Sequence, residues 1–309
     1  MNNNAMSPLV TIAIPAYKRK YLKEAIQSVL EQSYKNLEVV IVNDCSPQDL
    51  DSVLKSFGDD RIHYYFNRKN LGKDDPAHNW NKCLSYAHGD LFSILCDDDM
   101  YEPTFVERMV ELAQKYQNVS VFRSRADFID KNGVVVNRYP SAPEWESMED
   151  YMWHVFNNYR YQTISEFMCR RERILSCGGY VSLPLAWYAD YLSIYRFSSK
   201  DGIASCSDCL VHFRQSGDNI SSQDDKNTLL KLIATHEYEV EVGKLLKEQH
   251  VSNEVGLINL MHHHTKRNTK YSLRCAPKSV LLKLLFKSSE YGISSSWAWE
   301  ALFSHRRKK

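Results

Sequence analysis

Hydrophobic positions in the first hundred residues follow two alternating rhythms. Short runs rich in Val and Ile, at Leu9 to Ile14, Leu37 to Asn43, Ile62 to Phe66 and Leu91 to Leu95, have the length and composition of buried strands. Between them, Leu22, Ala25, Ile26, Val29 and Leu30 within Tyr21 to Gln32, and the segment Ala77 to Ala87, show helical spacing. This alternation predicts a parallel sheet with helices on both faces, an α/β fold. Pro103 reads as an early helical residue, opening a helix whose apolar stripe is Phe105, Val106, Met109, Val110, Leu112 and Ala113.

After that helix the rhythm changes. Val119 to Phe128 and Val134 to Tyr139 flank Asn132-Gly133, a pair that favours an antiparallel hairpin. Thr163 to Cys169 and Cys209 to Phe213 read as further strands, with a helix from Ala189 to Phe197 between them, so the sheet is expected to be mixed. From Ser222 onward the pattern is helical. The expected boundary falls at Ser221 to Asp225, dividing the chain into a unit 1–221 and a helical extension 222–309.

Composition adds a soluble, globular character: 43% of residues are hydrophobic and 25% charged. No stretch approaches the roughly 18 consecutive apolar residues of a membrane span, and the first eight residues lack an apolar signal region, which predicts a cytoplasmic protein. Eight scattered cysteines form no compact disulfide framework and are expected to be reduced. The net charge of +1 hides an asymmetry, because the last stretch carries Lys266, Arg267, Lys270, Arg274, Lys278, Lys283, Lys287 and Arg306 to Lys309 against Glu290 and Glu300. The extension is basic and the body acidic, which argues against nucleic-acid binding by the body.

In open α/β sheets ligands bind beyond the carboxyl ends of the strands. Those ends carry Pro15-Ala16-Tyr17, Asn43-Asp44-Cys45-Ser46 and Cys96-Asp97-Asp98-Asp99. A carboxylate there can accept the imide N–H of a base, and a tyrosine ring can stack on that base. Three consecutive aspartates repel one another unless they are solvated or neutralised by a hard divalent cation. A solvated turn is the ordinary reading of such a triplet, and its place at a strand end beside two other candidate sites turns the balance toward a cation.

Together with Asn70-Leu71-Gly72, Gly89-Asp90-Leu91 and the continuation Met100-Tyr101-Glu102-Pro103, these motifs resemble, in order and spacing, the inverting GT-A family 2 glycosyltransferases. The resemblance implies a GT-A fold, a Rossmann-like mixed sheet with helices on both faces and here a C-terminal helical extension. It divides the first unit into a nucleotide-binding half at 7–103 and an acceptor half at 104–221. The implied activity is transfer of a sugar from a UDP- or TDP-sugar to an acceptor hydroxyl. In that site Pro15, Ala16 and Tyr17 lie along the pyrimidine, Asp44 reads it, Asp97 binds the ribose and Asp98 coordinates Mn²⁺ or Mg²⁺. Many relatives have an acid at the position of Cys96, which leaves Asp97 and Asp99 open as alternative ligands. Cleaving a sugar from a diphosphate builds charge on the leaving oxygen, which a cation stabilises.

In the second half, Phe167 to Tyr180 with its Gly178-Gly179 turn, followed by Asp190, is similar to the segment that precedes the family's catalytic acid. Asp190 is therefore the expected base, the alternative being a helix N-terminal residue that favours the dipole. Trp187 reads equally as an acceptor platform or a buried aromatic. In His212 to Ser221, Ser216 takes the place of a histidine that reaches the metal in many relatives, and Arg214 remains as the expected diphosphate partner. Lys73 and His78 read as phosphate contacts or as exposed side chains.

Cys206, Cys209 and His212 lack a fourth ligand at zinc spacing, and His262-His263-His264 reads as a polar helix surface. The lysines of Lys278 to Lys287, interleaved with Leu281, Leu282, Leu284, Leu285 and Phe286 and followed by Trp297, Trp299 and Phe303, read either as a packed helix or as a peripheral contact with anionic lipid at the inner face of the plasma membrane. A saccharide or lipid-linked saccharide acceptor fits the latter. The rival readings are a non-catalytic nucleotide-sugar-binding subunit, motivated by Cys96 and Ser216, and a nucleotidyltransferase, disfavoured because no glycine-rich phosphate loop follows Ile14.

Overall fold

The computed structural model describes residues 7–217 and 227–306, with the side chains of 304–306 left aside. The expected boundary at Ser221 to Asp225 lies outside the described residues. In chain order the elements are β1 (Val10–Ala16), α1 (Leu22–Leu30), β2 (Leu37–Asn43), α2 (Asp51–Leu54), β3 (Ile62–Phe66), α3 (Ala77–Ser85), β4 (Leu91–Ile94), β5 (Met100–Tyr101), α4 (Phe105–Lys115), β6 (Val121–Ile129), β7 (Val135–Arg138), β8 (Trp145–Glu146), α5 (Met148–Phe156), β9 (Phe167–Arg170), α6 (Arg171–Ser176), α7 (Ala189–Ser198), β10 (Ile203–Arg214), α8 (Thr228–Glu248), α9 (Glu254–Cys275), α10 (Lys278–Lys287) and α11 (Ser295–Arg306).

Strand order is β3-β2-β1-β4-β9-β6-β10-β5, with β7 on β6 and β8 on β10. The β3-β2-β1-β4 quartet is parallel, whereas β9 runs antiparallel to both β4 and β6. The chain leaves β1 in one direction toward β2 and later crosses to β4 on the other side, so the carboxyl ends of β1 and β4 flank the crevice where order reverses. The period-two alternation of the strands feeds two cores. Val10, Ile12, Ile14, Val39 and Ile41 pack on one face with Leu22, Ala25, Ile26 and Val29 of α1 and the apolar stripe of α4. Ala13, Val40, Val42, Phe92 and Ile94 pack on the other with α3, α5 and α7. Each buried Val, Leu, Ile or Phe contributes about 1.5–3 kcal/mol, and this double burial explains why the strand sequences are nearly continuously apolar.

Several expectations are corrected. Pro103 precedes Thr104, the N-cap of α4, and is not in the first turn. The expected strand from Thr163 begins only at Phe167, because Ile164–Glu166 is a 3₁₀ turn. The Cys209 strand is the end of a longer one, Ile203–Arg214, with irregular pairing between Ser205 and Val211. Helix α5, capped by Ser147 Oγ accepting the Asp150 N–H, was not anticipated. His262-His263-His264 is not uniformly surface, since His264 turns inward beside Phe156 and Tyr188. Burial and the Arg267 charge push it down to about 4, so it is uncharged at neutral pH.

The first two helices of the extension are not an appendage in packing terms. Ala234, Tyr238, Val242, Leu245 and Leu246 of α8, with Leu257 and Met261 of α9, belong to the same core as Phe92, Tyr188 and Leu192. Helices α10 and α11 form a smaller cluster of their own with Leu232 and Leu273. Among the described residues no helix is long and apolar enough to cross a membrane.

Candidate active site

The register of β1 against β2 places Ala16 beside Asn43, and β1 against β4 places Ala13 beside Ile94, so the residues after all three strands emerge on one edge. There Asp97 Oδ2 accepts the N–H groups of Tyr17 (2.8 Å) and Lys18 (2.7 Å). Ser46 Oγ donates to the Tyr17 carbonyl at 2.5 Å, which ties the β2 turn to the same point. Tyr17 itself remains 40% exposed, its ring available for stacking.

The three aspartates fan apart. Asp98 Oδ2 meets Lys18 Nζ at 3.2 Å and Ser216 Oγ at 3.4 Å. Asp99 is fully buried, its Oδ1 accepting the Arg214 N–H at 3.0 Å and its Oδ2 the Ser165 hydroxyl at 2.6 Å. Ser165 also accepts the Cys96 N–H at 3.2 Å, a role that the sequence pattern did not reveal. Burial and the neighbouring Asp98 charge push Asp97 up to about 6, and the same causes raise Asp99. Burial opposes the charge of Lys18, but Asp98 and Asp97 outweigh it and raise its pKa above the ordinary lysine value.

Asp44 is buried, with Oδ1 accepting from Asn67 Nδ2 and the Leu71 N–H, both at 2.8 Å, and Oδ2 accepting the Gly72 N–H at 2.7 Å. A carboxylate offers about four acceptor positions, so these three bonds leave room for one more donor. A Cβ at Gly72 would lie 3.0 Å from Asp44 Oδ2 and 3.3 Å from Pro76 Cα, which is why glycine stands there. Lys73 is exposed; His78 is exposed too, beside Asp75 and Ser182.

Arg214 is placed differently from an open phosphate contact. It is buried, donates from Nε to the Asp98 carbonyl at 2.9 Å, pairs with Glu24 at 2.7 Å and lies 4.1 Å from the centre of the Tyr21 ring. These contacts brace the acidic corner from behind. Among the described residues no three His, Cys, Asp or Glu side chains converge into a complete metal cage. Asp98 nevertheless fits the partial donor set of Mg²⁺ or Mn²⁺, which take one or two carboxylates and complete their shell with diphosphate oxygens and water.

Asp190 stands in the first turn of α7, partly exposed. Burial pushes its carboxyl up to about 6, against the opposing effect of the Tyr191 N–H and the Gln162 amide. Gln162 accepts the Tyr151 hydroxyl at 2.7 Å, and its buried Nε2, turned toward Asp190, makes no closer hydrogen bond among the described residues. Asp190 is within electrostatic reach of Glu166, whose own carboxylate is paired with Arg123 at 2.7 Å, and of Tyr139, which also feels Asp99. Ser165-Glu166 thus links the two regions, its serine hydroxyl bonded to Asp99 and its glutamate carboxylate sensing the Asp190 charge. The turn entering α7 is strained: Leu185, Ala186 and Tyr188 have φ of 62°, 51° and 65°. Each left-handed non-glycine residue costs about 1–2 kcal/mol.

A mixed sheet whose parallel strands end on one acidic edge, facing a second half that carries a partly desolvated carboxylate, is a GT-A glycosyltransferase arrangement. The family model described as Glycosyl transferase family 2 matches residues 11–179, more than half of the chain. The chain belongs to glycosyl transferase family 2. It is 37% identical over 122 residues to an uncharacterized glycosyltransferase of Rickettsia typhi, a match covering 39% of this chain and 37% of that one, so it spans little more than a third of that relative's length. It is 26% identical over 220 residues, 70% of this chain and 82% of the other, to TuaG of Bacillus subtilis, whose description assigns it to teichuronic acid biosynthesis. The structure resembles S. aureus TarS in complex with UDP-GlcNAc, with TM-score 0.66 at 14% identity, covering 97% of this chain and 92% of that one, a likeness of fold.

Proposed function

We propose that the protein is an inverting, metal-dependent hexosyltransferase that moves a sugar from a UDP- or TDP-sugar to a hydroxyl of a saccharide or lipid-linked saccharide acceptor in polysaccharide or glycoconjugate assembly. The observation that carries this reading is that Tyr17, Asp44, Asp97 and Asp98 emerge on one strand edge, which Ser165-Glu166 connects toward Asp190. The UDP-GlcNAc held by TarS and the description of TuaG support the donor class and the acceptor class respectively.

In this reading Tyr17, flanked by Pro15 and Ala16, stacks on the pyrimidine, Asp44 accepts its imide N–H, and Asp97 meets the ribose. Asp98 holds Mn²⁺ or Mg²⁺, with Asp99 behind it as the alternative ligand; when bound, the cation offsets charge developing on the diphosphate. Lys18 adds positive charge on the same side, and Arg214, the diphosphate partner implied by the resemblance, stands behind it on the Asp98 carbonyl as a brace. Asp190 takes the proton from the acceptor hydroxyl as that oxygen bonds to the anomeric carbon and the sugar–phosphate bond breaks, so the nucleoside diphosphate leaves from the opposite face. Exposed Leu282 and Phe286 on α10, interleaved with exposed Lys278, Lys283 and Lys287, together with exposed Trp299 on α11, support peripheral contact with anionic lipid at the inner membrane face.

The test is release of UDP or TDP from a panel of nucleotide sugars with Mn²⁺ and candidate acceptors, using Asp98→Ala and Asp190→Ala as controls. Metal-dependent turnover lost in both variants supports the proposal. Binding without turnover would make the chain a nucleotide-sugar-binding subunit, and pyrophosphate release from UTP and a sugar phosphate would make it a nucleotidyltransferase.

A further inference from the structure

Three side chains of the C-terminal helices close on the turn that delivers Asp190. Tyr238 of α8 stacks on Tyr188, ring centroids 4.6 Å apart and planes 17° from parallel. Asn268 of α9 donates to the Tyr188 hydroxyl at 2.9 Å. Lys231 of α8 lies 4.5 Å from the centre of the Trp187 ring. The loop before α3 adds a further hold, the Leu185 N–H being taken by the Asp74 carbonyl at 2.6 Å. Between these holds, Leu185, Ala186 and Tyr188 all adopt left-handed backbone. A conformation so disfavoured for side chains of these types persists only where surrounding contacts over-determine it. Two residues beyond Tyr188 stands Asp190, and Ala189 between them is fully buried.

We propose that α8 and α9 act as positioning elements for the base: the Tyr188–Tyr238 stack and the Asn268–Tyr188 hydrogen bond hold the left-handed turn and thereby set where the Asp190 carboxylate stands. Tyr188, Tyr238 and Asn268 are positioning residues, since none needs to touch substrate. The inference rests on the reading of Asp190 as base and adds to it a function for the helices that follow the family-matched segment, residues 11–179. The residues proposed to hold the nucleotide follow β1, β2 and β4, and neither the Tyr188–Tyr238 stack nor the Asn268 hydrogen bond involves any of them, so the proposal separates chemistry from donor binding.

The experiment uses the full chain and four variants, Tyr238→Leu, Tyr238→Phe, Asn268→Ala and Asp190→Asn. For each, kcat, donor KM and UDP affinity by calorimetry are measured with Mn²⁺. Loss of the stack in Tyr238→Leu and of the hydrogen bond in Asn268→Ala is expected to lower kcat by about 10- to 100-fold, the scale of a roughly 1 Å misplacement of a reacting group. Donor KM and UDP affinity should stay within about twofold of wild type, and Tyr238→Phe, which keeps the ring, should retain wild-type kcat. Unchanged kcat in Tyr238→Leu and Asn268→Ala, with Asp190→Asn inactive, would overturn the positioning role and leave the base intact. Parallel loss of kcat and UDP affinity would overturn it in favour of a general folding defect. An active Asp190→Asn would remove the base reading and the positioning role with it.

Discussion

The carboxylate of Asp97 accepts the backbone N–H of Tyr17 across 80 residues of chain, and through it the acidic end of β4 is locked to the aromatic end of β1. The same oxygen takes the Lys18 N–H, so a single side chain fixes the local path of the segment on which the pyrimidine is proposed to stack. Asp97→Ala removes the acceptor of both hydrogen bonds. UDP affinity is expected to fall at least about tenfold, consistent with the ~1.5–3 kcal/mol of a hydrogen bond to a charged group. Calorimetric titration of UDP checks this, and unchanged affinity would mean that the Tyr17 turn holds its shape without Asp97.

Asp98 is the carboxylate of the three that faces Lys18 and Ser216, with neither oxygen given to a backbone N–H in the contacts described above. Asp98→Asn should abolish the tightening of UDP binding by Mn²⁺ and cut turnover by about 10²-fold or more. The readout is UDP affinity with and without Mn²⁺. If the Mn²⁺ effect survives in Asp98→Asn but disappears in Asp99→Asn, the ligand assignment passes to Asp99.

The raised pKa of Asp190 sets a sign for the pH dependence. A base must be ionised, so kcat/KM should rise with pH through about 6 and level off above it. Its carboxylate is bonded by Gln162 and the Tyr191 N–H, and its charge reaches Glu166, Tyr139, Tyr151, Tyr188, Tyr191 and Tyr238, of which Glu166 is itself pushed up to about 7. The residual activity of Asp190→Asn should lack the limb near 6. Linkage gives a second consequence. Between the ordinary carboxyl value of 3.8 and about 6, the folded chain keeps a proton that the unfolded chain has released, so Asp190 costs stability as pH rises through that window. Asp190→Asn should therefore be more stable at pH 7 by on the order of 1 kcal/mol, seen as a higher Tm. A variant that is both less active and less stable would contradict this account.

Arg214 tests the difference between bracing and binding. With its guanidinium on the Asp98 carbonyl, Glu24 and the Tyr21 ring, Arg214→Ala should destabilise the fold by about 2–4 kcal/mol while UDP affinity in the folded fraction changes less than about threefold. Thermal melts and calorimetry measure the two separately. A raised donor KM at unchanged Tm would instead assign the side chain to the diphosphate.

Leu282 and Phe286 are 53% and 88% exposed, one turn apart on α10, and Trp299 on α11 is 52% exposed. Phe286→Ser combined with Leu282→Ser should reduce sedimentation with vesicles rich in phosphatidylglycerol, while binding to neutral phosphatidylcholine vesicles should be weak in both proteins. Equal recovery of wild type and variant on anionic vesicles would remove this surface from consideration.

The legible parts of the molecule were those whose physics is local. Leu37–Asn43 is a strand buried on both faces, its apolar run is broken only by Glu38 before it closes at Asn43, and both ends fall where the pattern predicts. Leu22, Ala25, Ile26 and Val29 fall on one helical face and are buried together. What escaped is contact chemistry between distant segments. Ser165 sits in a 3₁₀ turn with no periodicity, and nothing in its neighbours announces that its hydroxyl reaches Asp99. Leu185, Ala186 and Tyr188 are not residue types that advertise left-handed backbone. Tyr238 and Asn268 lie 50 and 80 residues beyond Tyr188, and helical spacing says which face is apolar but not which ring it will meet. Arg214 was read from its neighbours in sequence, and its burial against Glu24 and Tyr21 follows from the packing of β10 behind β5.

Because Tyr238, Val242, Leu246 and Met261 are laid into the same core as Phe92 and Leu192, any minimal catalyst cut from this chain must keep the stretch 228–275. A fragment trimmed to the family-matched segment would leave a raw apolar wound where those helices dock. It would be recovered as aggregate even though Tyr17, Asp44, Asp97 and Asp98 were still on the polypeptide.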